Sequence, residues 1–152
     1  MYQLRYSTKV KVYIEIISGV VFLVCGCCIY LFFRSKTLNL YQWCMYMGIA
    51  EYVDNIRVLV QSWNIPVFIK YSLPDGLYCA AYILIMDAIW SNERGFVKCL
   101  MMALVPFITI CSELLQYFEL IKGTFDFNDL ICYSVPPLVF IINNRLNDLI
   151  KR

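Results

Sequence analysis

Residues 16–33 carry no charged side chain, and this run limits the fold more than any other stretch. An uncharged apolar stretch of about 18 residues or more is long enough to cross a bilayer as a helix. Arg5, Lys9 and Lys11 precede it, the basic lead-in that a signal peptide also has. No small-residue cleavage site follows, however: Ile29-Tyr30-Leu31-Phe32-Phe33 continues the run. The expectation is an anchor, a first crossing helix over about residues 12–33. Glu15 then falls in its first turn, where an acid suits the helix dipole, and where it can also pair with a base at the same membrane face.

Composition extends this reading to the whole chain. Of 152 residues, 61% are hydrophobic and only 16% charged. A soluble domain carries about a quarter charged residues. The length suits one domain, so the expected class is a single all-α, polytopic membrane domain over residues 1–152. A net charge of +2, with no Lys/Arg block interleaved with aromatics, argues against nucleic acid as a partner. Eight cysteines and no histidine are present. Cys25-Gly26-Cys27-Cys28 lacks the spaced second pair of a zinc site, so the thiols read as small apolar residues in buried positions. No cofactor is expected.

Three further crossing helices are expected, over about residues 74–91, 96–118 and 128–143. Pro74 suits the start of the first of these, with Ser72 or Asp75 as its cap. Pro106 predicts a kink in the second. Pro136-Pro137 predicts an interrupted hydrogen-bond ladder in the third. Asp87, near the end of 74–91, is placed to pair with Arg94 or Lys98. Between the first two crossings, Tyr52/Val53, Ile56 and Leu59/Val60 recur at helical spacing, while Glu51, Asp54 and Arg57 lie on another side. Residues 37–65 therefore read as an amphipathic helix on the bilayer or over the bundle.

Four crossings put both termini on one side. Arg5, Lys9, Lys11, Arg94, Lys98, Arg145, Lys151 and Arg152 lie there, against Arg34, Lys36, Arg57, Lys70 and Lys122 opposite. The basic excess predicts cytoplasmic termini. Alternating direction then gathers acids that are distant in sequence at the outer end. Asp75 opens one helix, Glu113 and Gln116 close the next on a shared face, and Lys122-Gly123-Thr124 breaks that helix. Asp126 and Asp129 open the last. Lys70, Arg57 and Lys122 are the bases expected nearby.

Such carboxylates suit a divalent cation, a shared proton between two acids, or hydrogen bonds to a polar headgroup or peptide. They equally serve to cap helices and to tie the last two helices together, and spacing alone leaves these open. A conventional hydrolase is weakly supported: there is no histidine, no Gly-x-Ser-x-Gly elbow and no phosphate-binding glycine loop.

Glu113-Leu-Leu-Gln116, followed by Gly123-Thr-Phe-Asp126-Phe-Asn-Asp129, resembles the VanZ-like family of small bacterial membrane proteins. That family has an acid and a Gln at the end of one membrane helix, a short loop, then a paired-Asp segment opening the next. The resemblance covers the last two helices and reaches Leu73-Pro74-Asp75-Gly76. It departs from the family in the loop, where Gly123-Thr124 stands in place of a basic residue, usually Arg, and Lys122 is the nearest base. The resemblance implies a bacterial inner-membrane protein with a non-enzymatic cell-envelope role, of the glycopeptide-resistance and especially teicoplanin-resistance type. Glu113 and Asp129 would be the principal ligand contacts, Gln116 would orient them, Asp126 would cap the last helix, and Asp75 would complete the set. Partners would be the bilayer, an envelope lipid or glycopeptide, and possible membrane-protein partners. The competing readings are a membrane-embedded, metal-dependent enzyme on lipid-linked substrates and an accessory subunit of a membrane complex.

Overall fold

A computed structural model describes the backbone of residues 2–93 and 95–150 and the side chains of residues 9–93 and 95–144. Seven helices follow in order: α1 (Tyr2–Phe33), α2 (Asn39–Tyr46), α3 (Ala50–Val60), α4 (Val67–Tyr71), α5 (Leu73–Ile89), α6 (Phe96–Tyr117) and α7 (Phe127–Ile150). No strand occurs among the described residues.

The short helix α5 is the centre. It buries Pro74, Gly76, Cys79, Ala81, Ile83, Asp87 and Ala88, and it packs against α1, α6 and α7. Small residues set the spacing. Gly19 and Gly26 are seven apart and so share a face of α1. A Cβ on Gly19 would stand 2.7 Å from Ile85 Cγ1 and 3.2 Å from the Ala81 carbonyl; on Gly26 it would meet the Pro74 carbonyl at 3.4 Å. Backbone approach through small residues is how helices gain packing energy where lipid replaces water. On the far side of α5, Cys79 and Ile83 join Met102 of α6, with Tyr133 and Phe140 of α7 against them.

Among the described residues two helical spans, Lys9–Phe33 and Phe96–Tyr117, are long and apolar enough to cross a membrane, by length and composition, where four were expected. The other two fall short for different reasons. α5 has only 17 residues, and α7 mixes its apolar residues with Asn128, Asp129, Pro136, Pro137, Asn143 and Asn144. Only 11% of the most apolar window of α1 is buried inside the chain. Ile14, Ile17, Val21 and Val24 are 49–62% exposed.

Several boundaries differ from expectation. α1 starts at Tyr2, so Glu15 lies turns inside the helix, away from the dipole of its first turn. The segment 37–65 is two helices, because Gly48 adopts φ 71° after α2. The Ile49 N–H reaches the Cys44 carbonyl at 3.0 Å and the Gly48 N–H reaches Met45 at 3.1 Å, the paired bonds of a Schellman stop. Neither Ser72 nor Asp75 caps α5 through its side chain; α4 runs directly into it, and Ser72 is buried at the junction. α6 ends at Tyr117, before Lys122-Gly123-Thr124. α7 passes through Pro136-Pro137 and continues beyond residue 143 to Ile150. Pro137 cannot donate to the Tyr133 carbonyl, and the Cys79 thiol takes that role from α5 at 3.6 Å. All eight cysteines are free; Cys44, Cys79 and Cys132 are buried, whereas Cys25 and Cys99 are exposed rather than internal.

Candidate functional site

The end of α6 and the start of α7 build the acidic end. After Tyr117 the chain stops in a second Schellman turn. The Leu120 N–H bonds the Leu115 carbonyl at 2.9 Å and the Glu119 N–H bonds Gln116 at 3.0 Å. Glu119, not glycine, holds the left-handed position there, at φ 56°. The loop then folds back over α6. Gly123, at φ 151°, lies so close to the Gln116 amide that a Cβ would fall 2.6 Å from Gln116 Cδ. Gln116 is thus covered by this glycine.

Folding back brings the Asp126 N–H to Glu113 Oε2 at 3.4 Å. Glu113 itself is buried. Asp126 Oδ1 accepts the Asn128 N–H at 2.8 Å and so caps α7. One turn further on, Asp129 Oδ1 is buried with no hydrogen-bond partner among the described residues. Asp75 of α5 lies within electrostatic range of Asp129 and Glu113. The five residues singled out from the sequence therefore share one end of the bundle. Asp75, Glu113 and Asp129 lie within electrostatic range of one another, while the Asp126 side chain caps α7 and the Gln116 amide lies against Gly123.

The counter-charge is one the sequence did not suggest. Lys70, Arg57 and Lys122 were the expected bases, but none pairs with these acids. Arg57 donates to the carbonyls of Leu31 and Arg34 at 2.5 and 2.6 Å, closing the end of α1. Lys70 lies over the Tyr71 ring. Lys122 is exposed. Arg34 takes the place instead. Its Nη2 is 3.7 Å from Asp75 Oδ2 and donates to the Tyr71 carbonyl at 2.5 Å, and its guanidinium lies over the rings of Tyr30 and Tyr71. A distance of 3.7 Å is an ion pair without a direct hydrogen bond. Arg34, the residue after α1, thus supplies a cation to the acidic end. Tyr133 was also missed; it sits one turn after Asp129 on α7 and within electrostatic range of Asp75, Asp129, Glu113 and Arg34. The i, i+4 spacing of Asp129 and Tyr133 was the available signal.

A second charged cluster closes the opposite end. Asp87 is buried on α5 and is held by Lys98 of α6 and by Lys11 of α1, the latter at 3.2 Å. Lys11 also reaches Glu15 at 3.1 Å. The pairing of Asp87 with Lys98 and of Glu15 with a nearby base agrees with the sequence reading. Lys36 and Asp54, 2.8 Å apart on the surface, form a third pair. The hydrogen bond from Lys36 holds the Asp54 carboxyl below its ordinary range, and the same bond raises the Lys36 ammonium.

Among the described residues no group of three or more acids and thiols is arranged to hold a metal ion. What the acidic end offers is a set of carboxylates in excess of their one guanidinium, with a buried acceptor oxygen left over. Carboxylate oxygens so placed can accept hydrogen bonds or pair with a positive group. Among known proteins, no family model, no curated protein and no solved structure matches the chain.

Proposed function

We propose that this chain is a four-crossing bacterial inner-membrane protein of the VanZ-like type, with cytoplasmic termini. In this reading its acidic end faces outward and binds the donor-rich polar part of an envelope ligand or glycopeptide antibiotic. The crossing helices are α1, α5, α6 and α7. Exposed apolar side chains on α1, α6 and α7 support the bilayer setting. Ile17, Phe107 and Val139, for instance, are 58–67% exposed, and each such side chain leaves on the order of 1 kcal/mol or more of transfer energy unrealised in water. α5 is short at 17 residues but is jacketed by the other three, so its charged ends lie in protein.

The observation that carries the functional reading is Asp75, paired with Arg34 and within electrostatic range of Glu113 and Asp129, with Asp129 Oδ1 buried and unpartnered among the described residues. Polar groups at that depth are expensive and usually functional. The role is binding rather than catalysis.

The test uses Glu113→Gln with Asp129→Asn. Teicoplanin binding to the purified protein in dodecyl maltoside is measured by calorimetry, and teicoplanin resistance is measured in a susceptible host at matched membrane abundance. Loss of both in the double variant is expected. Wild-type binding and resistance in that variant would overturn the reading.

A further inference from the structure

A separate cavity of about 390 Å³ opens beside the end of α1, between α3 and α4. Lys36, Arg57 and Lys70 line it against one carboxylate, Asp54, with Phe32 and Trp63 among its apolar walls. From this arrangement we infer that the cavity binds a phosphate group, a role independent of the acidic end.

The charge balance is the argument. Asp54 Oδ2 takes both Lys36 Nζ at 2.8 Å and the Tyr41 hydroxyl at 2.9 Å, while its Oδ1 is buried without a hydrogen-bond partner among the described residues. Arg57 spends two of its five donors on the Leu31 and Arg34 carbonyls. Carbonyls carry no net charge, so the guanidinium keeps its own, and no carboxylate comes within ion-pair distance of it among the described residues. Among the described residues Lys70 meets the face of the Tyr71 ring and no carboxylate. Three cations thus line the cavity against the carboxylate of Asp54, which lies within electrostatic range of Arg57, and the lining keeps a surplus of two positive charges. Arg57 is also fixed by its carbonyl bonds, and a guanidinium held in place binds a phosphate with little further ordering. The walls add direction. Phe32 and Trp63 provide an apolar side along which an alkyl chain attached to the phosphate can lie. Trp63 is 63% exposed, and Val58 and Leu59 of α3 are 69–73% exposed, so the rim suits headgroup level.

The test titrates the full chain in dodecyl maltoside with dioleoylphosphatidic acid, with dioleoylglycerol, and with inorganic phosphate, followed by native mass spectrometry. Saturable binding of one phosphatidic acid is expected, with none of dioleoylglycerol. Lys70→Gln should weaken phosphatidic acid about tenfold at unchanged helix content, the scale of one charge-assisted contact, and Lys70→Arg should keep the affinity. Displacement of the lipid by millimolar inorganic phosphate assigns the site to a soluble phosphate, and resistance to displacement assigns it to a lipid headgroup; either supports phosphate recognition. Equal binding of dioleoylglycerol, no saturable binding, or undiminished affinity in folded Lys70→Gln overturns it.

Discussion

The guanidinium of Arg34 stands 3.7 Å from the carboxylate of Asp75, joining the residue that follows α1 to the first turn of α5. The two side chains are 18% and 21% exposed, so neither charge is well hydrated. The backbone carbonyl of the same arginine receives Arg57 at 2.6 Å. Arg34 therefore touches Asp75 with its side chain and Arg57 with its backbone. Replacing it by glutamine leaves Asp75 facing Asp129 and Glu113 without a cation. Removing one partner of a buried pair costs about 3–5 kcal/mol, and the partial exposure here reduces that to about 2. Arg34→Gln with Asp75→Asn should recover much of the loss. A double-mutant cycle on unfolding in detergent measures the coupling; additive losses would show that the two charges do not interact.

At the opposite end the three-way contact of Asp87 with Lys11 and Lys98 separates by exposure. Lys98 is 20% exposed and Lys11 61%. An ion pair open to water contributes about 0–1 kcal/mol, so Lys11→Gln should be nearly silent. Lys98→Met leaves a buried carboxylate with only an exposed partner and should cost about 2–4 kcal/mol. Thermal unfolding in detergent ranks the two. Equal losses would mean that solvent reaches both lysines alike.

The helices around α5 were readable because long apolar runs declare themselves. α6 was expected at 96–118 and lies at Phe96–Tyr117. The meeting of Asp75, Glu113 and Asp129 followed from alternating direction alone. What the sequence concealed is specific. Arg34 looked like a terminator of α1, because nothing in a linear chain pairs residue 34 with residue 75. The Gly48 break in 37–65 had a signal, the glycine itself, which the flanking apolar spacing masked. The stop at Glu119 had none, since the left-handed position is held by a residue that ordinarily avoids it.

Glu119 and Gly48 occupy the same position in two Schellman turns, at φ 56° and 71°. Left-handed geometry costs an L-residue about 1 kcal/mol and glycine almost nothing. Glu119→Gly should stabilise the fold by about 0.5–1 kcal/mol, and Gly48→Ala, with open space around the new Cβ, should destabilise it by about 1. Opposite signs in chemical unfolding check the pair. Loss of stability in Glu119→Gly would instead point to a contact made by the Glu119 side chain.

The Lys36–Asp54 pair predicts a pH window for the contact between the end of α1 and α3. The Asp54 carboxyl is lowered in the folded chain from 3.8, chiefly by its bond to Lys36. Its contribution is therefore present above 3.8 and is lost as pH falls through the folded value. The Lys36 ammonium is raised from 10.5, chiefly by the same bond. Its contribution is present below 10.5 and is lost as pH rises through the raised value. Limited proteolysis near residue 37 should accelerate at both extremes, and Asp54→Asn should flatten the profile between them. An unchanged profile in that variant would remove the pair as its cause.

Antiparallel α1 and α5, tied at one end by Lys11–Asp87 and at the other by Arg34–Asp75, make a topological prediction that does not depend on any ligand. Thr124 lies in the loop of the acidic end and Gly95 precedes α6 at the other; both are exposed. With the exposed native thiols removed by Cys25→Ser and Cys99→Ser, Thr124→Cys should react with a membrane-impermeant maleimide in intact cells. Gly95→Cys should react only after permeabilisation. The rims sit at opposite ends of helices about 25–35 Å long at 1.5 Å per residue, which matches the roughly 30 Å hydrocarbon core. Labelling of both from outside would mean that α6 does not cross, and the reversed pattern would turn the acidic end toward the cytoplasm and out of reach of an envelope ligand.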